Sequence, residues 1–139
     1  MFISFFMSTV LYAEDWPQAF GPNGDFTVNG KAVDSFSVSM DENILWRTPM
    51  PSTGQGTPII SNGRIFVTSH ERMEEDSEMG SDIVGICLDA KTGNKLWERK
   101  IPGTRTTDLS SLFSDNTAAS PVSDGERVVF MSVGGTIAS

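Results

Sequence analysis

Cysteine is nearly missing from this chain: Cys87 is the only one among 139 residues, so no disulfide can form within it. Cys87 lies in the apolar run Ile83-Val84-Gly85-Ile86-Cys87-Leu88 and reads as a small buried residue. A reactive thiol would need exposure and cationic neighbours, which this run does not supply. Histidine is as scarce. His70 stands alone, and at the end of an apolar stretch it is expected to be a surface residue without the partners a general base needs. Basic side chains are few, 10 against 18 acidic ones, for a net charge of −8. That balance argues against nucleic acid, whose affinity rests on Lys and Arg neutralising phosphates.

Long apolar runs are also lacking. Met1 to Ala13 is apolar and uncharged, but it is shorter than the roughly 20 residues a helix needs to span a bilayer. It fits the apolar region of a secretory signal peptide cleaved after Ala13, although no Lys or Arg precedes Lys31. The other reading of residues 1–13 is a buried first strand or helix. Beyond residue 14 no stretch sustains an amphipathic helical period over three turns. The chain is therefore expected to be all-β and to be exported to the periplasm or the cell exterior.

What the sequence does contain is short β-forming segments separated by turn residues. Thr57 to Ser61 and Arg64 to Thr68 are joined by Asn62-Gly63, the pair favoured by a type I′ hairpin because both central residues need positive φ. Asp82 to Leu88 and Lys95 to Lys100 flank Asp89-Ala90-Lys91-Thr92-Gly93-Asn94. Together they predict a four-stranded antiparallel meander. Ile65-Phe66-Val67, Ile83-Val84 and Ile86-Cys87-Leu88 run nearly continuously apolar, as strands covered on both faces do.

The pattern then recurs. Leu45-Trp46-Arg47 is echoed by Leu96-Trp97-Glu98, and the Thr57 to Val67 segment by Ser120 to Phe130. Four short strands repeating over about 40–50 residues mark propeller blades. Pro58 and Pro121 each open the first strand of a unit, a place where a missing N–H is tolerated. This register gives an N-terminal segment over 14–42 and a partial propeller over 43–139. It contains a closing strand at about Asn43 to Pro49, a complete blade at about 56–100, and an incomplete blade at about 118–139 represented by two strands. The repeat is interrupted at Ser139, so the chain reads as the N-terminal fragment of a longer propeller. Glu71 to Asp82 and Ile101 to Thr117 read as surface loops.

Asp89, Thr92, Gly93 and Trp97 resemble the tryptophan-docking repeat of the quinoprotein propellers, with Cys87 where Ala is usual. Asp89 can accept hydrogen bonds from the turn, Gly93 supplies a positive φ, and Trp97 projects a flat side chain toward the neighbouring blade. Trp46 is the corresponding residue of the preceding unit. Asp15-Trp16-Pro17-Gln18, Gly21-Pro22-Asn23-Gly24 and Asp124-Gly125-Glu126-Arg127-Val128 are similar to segments of secreted bacterial propellers with pyrroloquinoline-quinone-like repeats. That group includes the outer-membrane-assembly lipoprotein BamB and the quinoprotein alcohol dehydrogenases. Ala19 and Phe20 stand where an aromatic residue and Arg are common.

The resemblance implies a non-catalytic binding or assembly scaffold in the cell envelope, with a protein or glycan partner. The alternative it leaves open is a fragment of a quinone-dependent dehydrogenase. Such an enzyme would need the quinone, an adjacent metal ion and an acidic base, together with a pair of adjacent cysteines that this chain does not hold. The acidic stretch from Glu71 to Asp82 lacks the spacing of a calcium loop. No catalytic, cofactor-binding or metal-ligating residue is assigned from the sequence, no cofactor is expected, and no membrane span is expected.

Overall fold

A computed structural model describes residues 14–30, 33–71, 82–103 and 115–139. The expected signal segment, most of the acidic loop and most of the linker between the two repeats lie outside the described residues. Among the described residues seven strands are present: β1 (Ile59–Ser61), β2 (Arg64–His70), β3 (Ile83–Asp89), β4 (Lys95–Ile101), β5 (Val122–Ser123), β6 (Val128–Met131) and β7 (Ile137–Ala138). They form a four-stranded sheet in the order β1-β2-β3-β4 and a three-stranded sheet in the order β5-β6-β7. All pairings are antiparallel. The architecture is all-β, and its two meanders are partial propeller blades.

The turn chemistry follows the sequence. Asn62 and Gly63 take φ of 51° and 70°, the doubly left-handed arrangement that matches the strand twist in a two-residue hairpin. Asn62 tolerates this conformation because its short polar side chain suits the left-handed region. Between β3 and β4, Gly93 at φ 72° turns the chain, and the register shifts at Cys87/Leu88. Such a bulge adds local twist.

Each face of the first sheet has its own cover. Ile59, Phe66, Ile83, Cys87 and Ile101 pack with Phe130 of the second sheet, and Trp97, Val128 and Ala138 flank them. On the opposite face Val84, Ile86 and Leu88 pack with Trp46, Ile65 and Val67. β3 is buried from Ile83 to Leu88, which explains its unbroken apolar run. Burying one such aliphatic side chain stabilises by about 1.5–3 kcal/mol, so the layer between the sheets is a principal source of cohesion.

Two expectations change. Residues 44–50 form no strand; Leu45 is 78% exposed and the segment is held through Trp46 and Thr48 side chains rather than through a ladder. The second repeat has three strands rather than two. Gly135 at φ 100° closes a turn after β6, with Ser132 N–H donating to the Thr136 carbonyl, and β7 pairs with β6. The Gly134-Gly135 pair carried that turn signal in the sequence.

Candidate functional site

The residues singled out by the repeat divide between the two faces of the first sheet. Asp89 ends β3 and its Oδ1 accepts from Lys91 N–H at 3.1 Å, Thr92 N–H at 2.8 Å and the Thr92 hydroxyl at 2.8 Å. The Thr92 hydroxyl, then the backbone donors, hold the Asp89 carboxyl below its usual value of 3.8. Asp89 N–H donates to the Asn94 carbonyl and Gly93 N–H to the Asp89 carbonyl. The result is a self-satisfied turn whose upper surface is Gly93.

Trp46 sits directly on that surface. A Cβ at Gly93 would lie 2.5 Å from Cδ2 and Cε3 of the indole, so only glycine permits this approach. The indole Nε1 donates to the Ala90 carbonyl at 3.1 Å, and the Thr48 hydroxyl donates to the Gly93 carbonyl at 2.5 Å. Asp89, Thr92, Gly93 and Trp46 are thus brought together. Trp97 is not part of this group. It stands opposite Cys87 in the ladder on the other face, 5.9 Å from the Phe66 ring and 6.2 Å from the Phe130 ring.

Beside the Trp46 contact runs a groove of about 590 Å3. Val84, Ile86 and Leu88 form its floor, and Glu71, Glu98 and Lys100 its rim. Lys100 Nζ lies 2.8 Å from Glu71 Oε2 and 2.9 Å from Asp82 Oδ2. These exposed pairs are worth little individually.

His70 corrects the sequence reading. It is only 3% exposed, because the loop from Ser52 to Gln55 folds over the end of β2 and residues 115–117 close the other side. His70 N–H donates to the Thr53 carbonyl at 2.8 Å, and a Cβ at Gly54 would lie 2.1 Å from the Thr68 carbonyl oxygen. The His70 Nε2 is 3.2 Å from Asp115 Oδ2, within ion-pair distance but off the line of a hydrogen bond. Burial would raise the Asp115 carboxyl, but the Thr117 hydroxyl and N–H, followed by His70, outweigh it and hold it below 3.8. Gln55 completes the junction: its N–H donates to the Thr117 hydroxyl at 2.9 Å and its Oε1 accepts from Asp115 N–H at 3.0 Å. This junction joins the entrance of one repeat to the entrance of the next. Adjacent-residue signals could not reveal it, since His70 ends β2 and Asp115 lies far along the chain in the segment that precedes the second repeat.

The N-terminal segment makes a second junction. Trp16 pairs with Ile60 through reciprocal backbone bonds of 2.8 and 2.9 Å, and the Pro17 carbonyl accepts from Ser123 N–H at 2.9 Å. The Asp15 carboxylate accepts from Asn62 N–H at 3.0 and 3.1 Å, and the Asn62 amide donates to the Gly125 carbonyl at 2.6 Å. Residues 15–17 therefore lie along the edges of β1 and β5 that no other strand among the described residues pairs with.

A quinone site with a metal ion requires several hard ligands in one place. Among the described residues no three His, Cys, Asp or Glu side chains converge, and Cys87 is buried between the sheets with its thiol raised by burial. The described residues therefore do not fit such a site. No helix among them is long and apolar enough to cross a membrane.

No curated protein and no solved structure matches the chain. A protein family does, over residues 78–139, which run through β3, the Asp89–Gly93 turn, β4 and the second sheet; it is described as outer membrane protein assembly factor BamB. With two antiparallel meanders stacked face to face, a tryptophan seated on a glycine turn and this match, the chain carries PQQ-like propeller repeats similar to those of the BamB family.

Proposed function

We propose that the chain serves as a non-catalytic propeller scaffold in the cell envelope, periplasmic or extracellular, that binds a protein partner. One observation carries this reading: among the described residues, Asp15, Asp89, Asp115 and Asp124 are each committed to holding the fold. Asp89 and Asp124 each close a turn through backbone donors. Asp115 ties the junction at His70, and Asp15 caps Asn62. What remains open is surface, and the matched family is described by its part in assembly rather than by a reaction.

Site-specific photocrosslinking tests the proposal. The full protein is expressed in its own cells with a photoreactive residue placed in turn at exposed positions on β4 and on the N-terminal segment. A defined protein partner, captured at stoichiometric yield from some positions and not others, is the expected outcome. Quinone titration of the purified protein in the presence of calcium provides the opposing arm. Saturable quinone binding with quinone-dependent alcohol oxidation, and no crosslinked partner, would overturn the scaffold reading.

A further inference from the structure

The loop that precedes the first blade displays two aromatic rings to solvent, and it is built to keep them there. Glu14 Oε2 accepts from Asn29 N–H at 2.9 Å and closes the base of the loop. Trp16 lies beneath it, with indole atoms 3.0–3.1 Å from where a Cβ at Gly21 would stand. Across the loop, Phe26 N–H donates to the Phe20 carbonyl at 2.8 Å. The Phe20 and Phe26 rings meet edge to face at 5.0 Å and 84°. They are nevertheless 52% and 66% exposed.

Phe26 has φ 62°. Left-handed backbone is unfavourable for a bulky side chain, and such strain persists where the surroundings impose it, often at ligand clamps. Rigid aromatic groups presented in advance are the anchors of protein interfaces, since little conformational freedom is lost when they are covered.

The charge around the rings selects the kind of partner. Residues 14–30 contain Glu14, Asp15 and Asp25 and no Lys, Arg or His. Asp25 is held below 3.8 by the Thr27 hydroxyl and then by Thr27 N–H, so it is ionised at neutral pH. An anionic lipid surface would be repelled, and so would a second copy of a chain with net charge −8. A polypeptide with cations beside its apolar groups would be attracted.

We propose that Phe20 and Phe26, with Asp25 beside them, form a docking surface for a partner-protein segment that combines apolar and basic side chains. The inference rests on the scaffold reading in expecting a protein partner, and adds where and through what chemistry it docks.

The test is fluorescence anisotropy with the full protein and a labelled synthetic peptide of alternating Lys and Leu. An alternating Glu and Leu peptide and anionic phosphatidylglycerol vesicles are run in parallel. Phe20→Ser and Phe26→Asn are each expected to weaken Lys/Leu binding at least tenfold; Asn tolerates the left-handed backbone, so the loop keeps its shape. Asp25→Asn is expected to weaken binding several-fold and to lessen its salt dependence. Glu126→Gln, exposed in the turn between β5 and β6, is expected to change nothing. Unaltered binding by both Phe variants overturns the proposal. Equal binding of the Glu/Leu peptide, preference for the vesicles, or an equal loss in Glu126→Gln also overturns it. In the crosslinking experiment, a partner captured from β4 but never from positions 20 or 26 refutes this surface while leaving the scaffold reading intact.

Discussion

Replacing Gly93 with alanine adds one methyl group where Trp46 already sits, and the structure allows the cost to be separated into two parts. The first is backbone: Gly93 has φ 72°, and holding a non-glycine residue there costs about 1–2 kcal/mol. The second is steric, because the new Cβ would lie 2.5 Å from two indole carbons and 2.8 Å from the Thr48 hydroxyl. Relieving an overpacked contact of this kind costs about 1–3 kcal/mol. Gly93→Ala should therefore destabilise by about 2–5 kcal/mol. Trp46→Ala removes a half-buried indole and its bond to Ala90, for about 2–4 kcal/mol, toward the lower end of the range for a buried tryptophan. In the double variant the clash with the indole disappears, and Gly93→Ala should cost only its backbone part and the closer approach to the Thr48 hydroxyl. A double-mutant cycle by urea unfolding, followed by circular dichroism, should then give a coupling of about 1–3 kcal/mol. Additivity within about 0.5 kcal/mol would refute the claim that Gly93 is required by the indole.

Gly85→Ala should destabilise by about 1–3 kcal/mol, because its Cβ would lie 3.0 Å from the Phe130 ring across the two sheets; Phe130→Leu should recover part of the loss in the same unfolding assay. Asp115→Asn should cost about 1–3 kcal/mol by weakening a buried carboxylate network, with Thr117 and His70 as its partners. Asp89 and Asp115 both titrate below 3.8 in the folded state, so their stabilisation is present above the unfolded value and lost as pH falls through the folded one. The urea midpoint should accordingly drop between pH 5 and pH 3, and drop less in Asp115→Asn. The Cys87 thiol, buried and raised by burial, should react with an aromatic disulfide reagent only as fast as the sheets open; immediate labelling of the native protein would contradict its placement.

Local chemistry made most of the first blade readable in advance. Asn62-Gly63 could be read because one dipeptide carries its whole turn geometry, and β3 because a strand enclosed on both faces has no polar positions to alternate with. The Asp89–Gly93 turn was legible for the same reason. The segment around Trp46 reads as a strand in the sequence, but it is held by the Trp46 and Thr48 side chains rather than by ladder bonds, and the repeat gives no sign of the tryptophan's seat on Gly93. His70 was misplaced because burial at the end of β2 depends on two loops distant in sequence. Nothing in the order of residues 14–30 signals that Trp16 pairs with Ile60, since a single bridge leaves no periodic trace.

That bridge bears on the order of folding. Trp16 bonds to β1 and Pro17 to β5, so the segment finds both partners only after the two hairpins have formed and come to rest side by side. Contacts of such wide sequence separation are slow to form, because chain entropy must be lost before they can be made. Local turns such as Asn62-Gly63 can close within microseconds. The N-terminal strip is thus a late latch on the assembled pair, and its fluorescent indole is a natural clock for the docking step.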